Sequence, residues 1–541
     1  MKKIILSISF ALCSWLGHAQ KTEKPAIIIG LVVDQMRQEY FYKFEERYTD
    51  GGFKRLMREG FMMKNAHYNY IPTYTGPGHA SVYTGTTPAT HGIIANDWYV
   101  KNLGRTIYCA SDSTVNAVGG SASNGKISPR NLLTTTITDE LRFATNKRSK
   151  VVGIAIKDRG AALPAGHLGD AYWFDSKTGE FMTSDYYYET LPTWVQQFNE
   201  RKLAEKYLSQ AWEPLFPLET YVQSIADDND FEGPFIGMDK PAFPYDLKSL
   251  MENNGEYGLI STTPFGNTLT LDMAYAAIEG EQLGKRGETD FLAVSFSSPD
   301  YIGHRFGPSS VELEDNYLRL DRDLEKFFTY LDATYGQGNY LIFLTADHAV
   351  ADIVEYMKSE RVPAGNFNTR FILTQMKGFT SEKFGEGDWI LNFSNEQVFL
   401  NDKLAAERGI SIETIQRELA SFLLRFEGVK EVYTATDLRK EEYIHGRKAL
   451  LQMGYNHKAS GDLLLILEPA WLSSSWKGTT HGTGYTYDTH VPIAFMGWSI
   501  PQGTSTRYAS ITDITPTLSM LLNIRLPNGS DGNPIHEIFT K

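Results

Sequence analysis

The chain has 541 residues, of which 42% are hydrophobic. That is a globular composition, long enough for one large domain with insertions or for two to three domains. The formal net charge of -13 argues against non-specific nucleic-acid binding, and any anionic substrate needs a local cationic pocket.

The N-terminus has the parts of a secretory signal over residues 1–19. Lys2 and Lys3 precede a short apolar run from Ile4 to Leu16, and Gly17-His18-Ala19 offers small residues for cleavage before Gln20. The run is too short to span a bilayer. Leu12 is bulky where a lipoprotein signal uses a small residue, so Cys13 is expected to leave with the signal. Cys109 is then the only cysteine of the mature chain, which excludes an intrachain disulfide. No later segment is long enough to cross a membrane. The expectation is an exported, periplasmic protein beginning near Gln20, without a membrane span.

Ala26 to Val33 is almost wholly apolar and β-branched, the pattern of a strand buried on both faces in a parallel sheet. It ends in Asp34, where open α/β sheets bind ligands. Tyr40 to Glu59 reads as helical, broken by Gly51-Gly52. The stretch Thr73-Tyr74-Thr75-Gly76-Pro77-Gly78-His79-Ala80-Ser81 opens a helix. Pro77 suits its first turn, which puts Thr75 at or near the N-cap, facing the positive end of the helix dipole. Asn96 lies in the loop leading into Asp97-Trp98-Tyr99, where its amide can donate to an oxyanion. After a helix from Leu132 to Phe143, the strand Lys150 to Ile156 leads into Lys157-Asp158-Arg159-Gly160. In an extended chain positions 157 and 159 point the same way, giving an anion clamp.

Residues from about 164 to 262 read as an insertion that includes a hairpin of Tyr172–Phe174 with Glu180–Met182. A helix from Leu269 to Leu283 and a strand from Phe291 to Phe296 resume the core. Asp300 and His304, one helical turn apart, form a metal half-site. A helix from Asp315 to Tyr335 precedes the strand Tyr340 to Leu344, which delivers Asp347 and His348. Residues from about 365 to 475 read as another α/β piece, with a helix at Ile412–Phe426 and a strand at Asp462–Leu467. His481-Gly482-Thr483, the strand Ile493 to Met496 and a closing helix near Ile514 complete the chain.

Asp34, Asp300 and Asp347 with His304, His348 and His481 offer enough nitrogen and oxygen ligands for two metals, with Thr75 as a seventh group, and the mixture suits zinc. The remaining histidines, His79 and His91 among them, are expected to be structural or at the surface. This order of Asp, nucleophilic Thr, Asp-x-x-x-His, Asp-His and His-Gly-Thr resembles the alkaline phosphatase superfamily. The runs Thr75–Ser81, Asn96–Tyr99, Lys157–Gly160 and His481–Thr483 bring it nearest to PafA-type bacterial alkaline phosphatases.

The resemblance implies an α/β fold, a mostly parallel central sheet flanked by helices with inserted cap segments. It implies two Zn2+ per chain, one held by Asp300, His304 and His481, the other by Asp34, Asp347 and His348 with Thr75 facing it. Thr75 would be the nucleophile, and Asn96, Lys157 and Arg159 would hold phosphoryl oxygens. The implied substrates are small phosphate monoesters, hydrolysed through a phosphothreonine, with no nucleic-acid partner. A monomer is compatible with everything in the sequence. The alternative is a phosphodiesterase or nucleotide pyrophosphatase of the same superfamily. The motif argues against a sulfatase, because Thr75–His79 carries neither the Cys or Ser precursor nor the arginine of that family.

Overall fold

The computed structural model describes residues 23–473 and 477–539. The signal-like residues 1–19, with Cys13, lie outside them. A ten-stranded sheet forms the centre. In chain order its strands are β1 (Ile27–Val33), β2 (Phe61–His67), β3 (Ala117–Val118), β4 (Val151–Ala155), β5 (Asp170–Asp175), β6 (Glu180–Ser184), β7 (Asp290–Phe296), β8 (Tyr340–Thr345), β9 (Ile493–Gly497) and β10 (Gly503–Ser510). The spatial order is β10-β2-β9-β8-β1-β7-β4-β5-β6-β3.

The five strands β8, β1, β7, β4 and β5 are mutually parallel. β9 and β6 run opposite to the other eight strands of the sheet. The expected mostly parallel sheet is therefore present, and its cause is visible in the sequence. β1, β7 and β8 are buried at every position, which requires helices on both faces and hence parallel crossovers. Ile27 pairs with Asp290 on one side and Tyr340 on the other, and Val33 pairs with Phe296. This register ends three strands at one edge, so the residues that follow them meet there.

Residues 170–184, expected as a hairpin within an insertion, form β5 and β6 and extend the central sheet. The helix expected from Leu132 begins at Ile137. Thr136 caps it, with Asp139 completing a capping box. Beyond residue 365 a second α/β unit has its own four-stranded sheet, in the spatial order Ile390–Ser394, Gln397–Leu400, Leu463–Leu467, Val429–Thr434. Ile372, Met376, Trp389 and Leu419 lie in a core separate from that of the central sheet. The unit meets the hairpin Asp97–Val100/Arg105–Tyr108 through Tyr99 against Phe399 and through Asn395, whose Nδ2 donates to Asp97 O at 2.6 Å.

Candidate active site

Four helices matter for the site: α1 (Thr75–Thr84), α2 (Asp158–Ala165), α3 (Ser298–Phe306) and α4 (Val311–Tyr335). All six predicted metal ligands converge at the sheet edge in two triads. Asp34, Asp347 and His348 form one; Asp300, His304 and His481 form the other. Within each, one potential ligand atom per residue lies within 4.8 Å of the rest. Asp34 follows β1, and its N–H continues the ladder to Phe296 O at 3.1 Å. Asp300 and His304 share one face of α3, with His304 Nε2 3.1 Å from Asp300 Oδ1, as their spacing predicts.

The histidines are oriented by their other nitrogen. Nδ1 of His304 faces Thr479 O at 2.8 Å, that of His348 faces Ala349 O at 2.9 Å, and that of His481 faces Thr73 O at 2.7 Å. A backbone carbonyl accepts only from N–H, so Nδ1 carries a proton in all three. Burial lowers His348 and His481, which leaves their Nε2 lone pairs facing inward, whereas against burial the Asp300 carboxylate raises His304. The rings of His348 and His481 stack 3.5 Å apart, linking the triads.

Asp34 Oδ1 and Asp347 Oδ2 are buried without a hydrogen-bond partner. Burial, then the charges of Asp300 and Asp347, push the Asp34 carboxyl well above the usual range. Burial pushes Asp347 up to about 6 and His348 down to about 3. Asp300 is also buried, yet His304 and Lys157 beside it hold it well below the ordinary value. Unpaired carboxylate oxygens beside imidazoles that present lone pairs are the donor set of a divalent cation, so the residues fit metal binding.

Thr75 is 1% exposed. It is the first helical residue of α1, after Tyr74 in extended conformation, and Pro77 is third. The expected N-cap role is thus taken by the backbone of Tyr74, and the Thr75 hydroxyl is free of capping. Its Oγ1 lies 3.5 Å from His348 Nε2 and 3.4 Å from Arg159 Nη2. The close approach of α1 depends on Gly78, where a Cβ would stand 2.2 Å from Asp347 O.

Lys157 and Arg159 do not share an extended strand end, as their spacing predicted. The strand stops at Ala155, Lys157 is the extended residue before α2, and Arg159 belongs to the first turn of that helix. Both nevertheless face the centre. Lys157 Nζ bridges one carboxylate of each triad, 2.7 Å from Asp34 Oδ2 and 2.5 Å from Asp300 Oδ2. Asn96 accepts the Gly76 N–H at 2.8 Å through Oδ1, which holds it beside Thr75.

The sequence reading missed several supporting groups. Gln35 donates Nε2–H to Asp300 Oδ1 at 2.6 Å, and its N–H reaches Asp347 Oδ1 at 3.2 Å. Its position next to Asp34 was the available signal. His79, read as structural, sits 3.4 Å from Asp347 Oδ2 and bonds Thr75 O and Ser295 Oγ. The Tyr108 hydroxyl donates to Asp158 and accepts from Arg159 Nη1 at 3.1 Å. Nothing in the spacing of Tyr108 announces that contact.

Residues 28–492 match the family described as Type I phosphodiesterase / nucleotide pyrophosphatase. The chain belongs to this family, within the alkaline phosphatase superfamily. Over 528 residues it is 44% identical to alkaline phosphatase PafA of Elizabethkingia meningoseptica, covering 96% of each chain. Over 536 residues it is 46% identical to a Myroides odoratus protein named calcium-transporting ATPase, covering 97% of this chain and 98% of that one. The crystal structure of wild type alkaline phosphatase PafA shares the fold with a TM-score of 0.93, at 44% identity, over 96% of this chain and 99% of that one. Among the described residues no helix is long and apolar enough to cross a membrane.

Proposed function

We propose that this chain is an exported, zinc-dependent alkaline phosphatase that hydrolyses phosphate monoesters through a phosphothreonine at Thr75. One observation carries the reading: the buried Thr75 hydroxyl lies 3.5 Å from His348 of one metal-type triad and 3.4 Å from Arg159, with Lys157 bridging the two triads and Asn96 held at Gly76 beside it. The PafA kinship supports the activity, and the signal-like residues 1–19 support export. The name of the Myroides relative would imply ion transport; the two triads around Thr75 favour the phosphatase reading instead.

Asp300, His304 and His481 would hold one Zn2+, and Asp34, Asp347 and His348 the other. When bound, the two ions supply positive charge that favours an ionised Thr75 oxygen and stabilises the leaving oxygen. Thr75 Oγ attacks phosphorus, the ester P–O bond breaks, and the alcohol leaves; water then cleaves the phosphothreonine. Free N–H groups at the start of α1 favour negative charge at this point. A monoester carries three non-bridging oxygens, all charged in a loose transition state. Arg159 can bind two such oxygens and Lys157 adds a point charge. Asn96 adds amide hydrogens through its free Nδ2.

The alternative is the diesterase chemistry of the family description. A diester has only two non-bridging oxygens, and the Lys157–Arg159–Asn96 cluster would crowd its second arm. Rates for a monoester and a diester with one common leaving group separate the two. The wild type should strongly favour the monoester. Replacing Lys157 and Arg159 by Ala should each cost about a hundredfold, or about 3 kcal/mol, while weak diester hydrolysis stays nearly constant. Faster diester cleavage by the wild type, or equal losses in the double variant, would overturn the monoesterase reading. Chelation should abolish activity and zinc restore it. Full activity with fewer than two metal ions per chain counts against the two-site assignment.

A further inference from the structure

A cavity lies between the active site and the second α/β unit. His481 of the second triad lines it, as does Tyr74, the neighbour of Thr75, and no member of the first triad does. It encloses about 80 Å3, room for several waters or a small alkyl group. Ile71, Ile466 and Leu472 give it apolar walls, and Tyr74, Trp471 and Tyr485 aromatic ones. Gly365 and Gly428 admit the Trp471 ring, because a Cβ on them would stand 2.4 and 2.1 Å from it. The Tyr74 ring meets the His481 ring edge-on, with centres 5.6 Å apart.

One carboxylate stands among these walls. Glu396 is at the tip of the hairpin Ile390–Ser394/Gln397–Leu400, where Ser394 pairs with Gln397 and Asn395 and Glu396 make the turn. Their φ values are +53 and +56. That is the pattern of a type I′ turn, in which Asn suits the first position and Gly the second. A glutamate held in the left-handed region at the second position is strained, and such strain gathers at functional sites. The tip reaches both halves of the active site. Asn395 donates to Asp97 O, beside Asn96, and Glu396 meets Tyr74, beside Thr75.

Glu396 Oε2 accepts the Tyr74 hydroxyl at 3.3 Å, and Oε1 the Ser473 hydroxyl at 2.6 Å. Each oxygen keeps a further lone pair. Burial raises the carboxyl, and the two hydroxyls offset part of that. Among the described residues no lysine or arginine lines the cavity. Arg447, over the Tyr485 ring, is paired with Glu431 at 2.9 Å. A carboxylate among apolar and aromatic walls, with no cation beside it, calls for one from outside.

We propose that this cavity receives the leaving alcohol, and that Glu396 and the aromatic walls select one bearing an ammonium group, so that monoesters of amino alcohols are the preferred substrates. The inference rests on the monoesterase reading. In an in-line displacement the leaving oxygen departs opposite the attacking one. Thr75 lies against His348 of the first triad, so the alcohol leaves on the side of the second, where His481 borders the cavity. Tyr74, Trp471 and Tyr485 offer π faces to a cation, and a methylated ammonium is apolar enough for Ile71, Ile466 and Leu472. A polyol would also pair with Glu396, but its other hydroxyls would face those apolar walls unpaired.

The test compares phosphocholine with 3,3-dimethylbutyl phosphate, which has carbon in place of the quaternary nitrogen and otherwise the same shape. The ammonium also makes choline the better leaving group, so the preference is judged against a variant. With the zinc-loaded full chain at alkaline pH and low salt, the wild-type preference for phosphocholine in kcat/KM should exceed that of Glu396→Gln about tenfold. If Glu396 only supported Tyr74, the variant would lose both rates alike and keep the ratio. Glu396→Asn, whose residue type tolerates a positive φ, carries the test if the glutamine variant fails to fold. Binding is read separately by calorimetry on zinc-loaded Thr75→Ala, where the nucleophile is gone and the cavity remains. Phosphocholine should bind there about tenfold more tightly than its neutral analogue, and Glu396→Gln added to it should erase the difference. An unchanged preference in the Glu396 variants, or equal binding of the two esters, overturns the inference and leaves the monoesterase reading standing. If no monoester is cleaved, that reading fails, and the calorimetric difference alone decides the cavity.

Discussion

The two triads use the same kinds of side chain but are built differently. Asp34, Asp347 and His348 stand at the ends of the adjacent strands β1 and β8 and are all 0% exposed. Their positions follow from sheet register, which cannot shift without moving every core side chain of both strands. Asp300 and His304 occupy one turn of α3, and His481 comes from an irregular segment. The His304 side chain is 35% exposed. Charge differs as well: Asp34 and Asp347 carry unpaired oxygens, whereas Asp300 is held ionised by His304 and Lys157. A sheet makes the first triad rigid and dry, and a helix with a loop makes the second accessible and adjustable. The nucleophile candidate Thr75 lies against the first, beside His348.

The sharpest use of this contrast is Thr75→Ala. It should lose several orders of magnitude in monoester turnover while both metal ions remain, since the hydroxyl is removed and the ligands are not. Thr75→Ser should keep part of the rate. Thr73 Oγ1 is turned away to Thr483 O at 3.1 Å, so a dead Thr73→Ala beside a near-normal Thr75→Ala would reassign the nucleophile.

A smaller effect separates the triads directly. Dilute chelator should remove the metal of the Asp300–His304–His481 group first, giving two phases in metal release. His304→Gln should lose that ion and keep the other, as elemental analysis would show. Release in a single phase, or loss of both ions from the variant, breaks the contrast.

The smallest expected effect is a control outside both triads. His91 is buried, accepts the Ile93 N–H at Nδ1 and pairs with Ser81 Oγ through Nε2. Burial pushes it down to about 3, below its ordinary 6.5. The folded state then binds fewer protons than the unfolded state, so this contribution to stability is intact above about 6.5 and fades as pH falls toward about 3. Denaturant titrations across that range should show a shallower acid loss in His91→Gln than in the wild type. Equal slopes would mean that the imidazole takes up its proton without unfolding.

Much of this protein was legible in the residues alone. Continuous apolar runs marked β1, β7 and β8, because only a strand covered on both faces tolerates them. The carboxylates directly after those runs marked the ligand edge, and the four-residue interval of Asp300 and His304 fixed their shared helical face. These are local consequences of period and burial. Tertiary structure decided the rest. Lys157 and Arg159 reach the site from a helix start rather than a strand end, because Asp158 and Gly160 begin α2 immediately. Gln35 and His79 matter through contacts made across strands and helices far apart in the chain. The hairpin 170–184 joined the central sheet because β4 had an open parallel edge to pair. The meeting of Glu396 with Tyr74, 322 residues apart, exists only once the hairpin of the second unit lies on the site. Periodicity reports which face a residue takes, and packing alone reports which residue it faces.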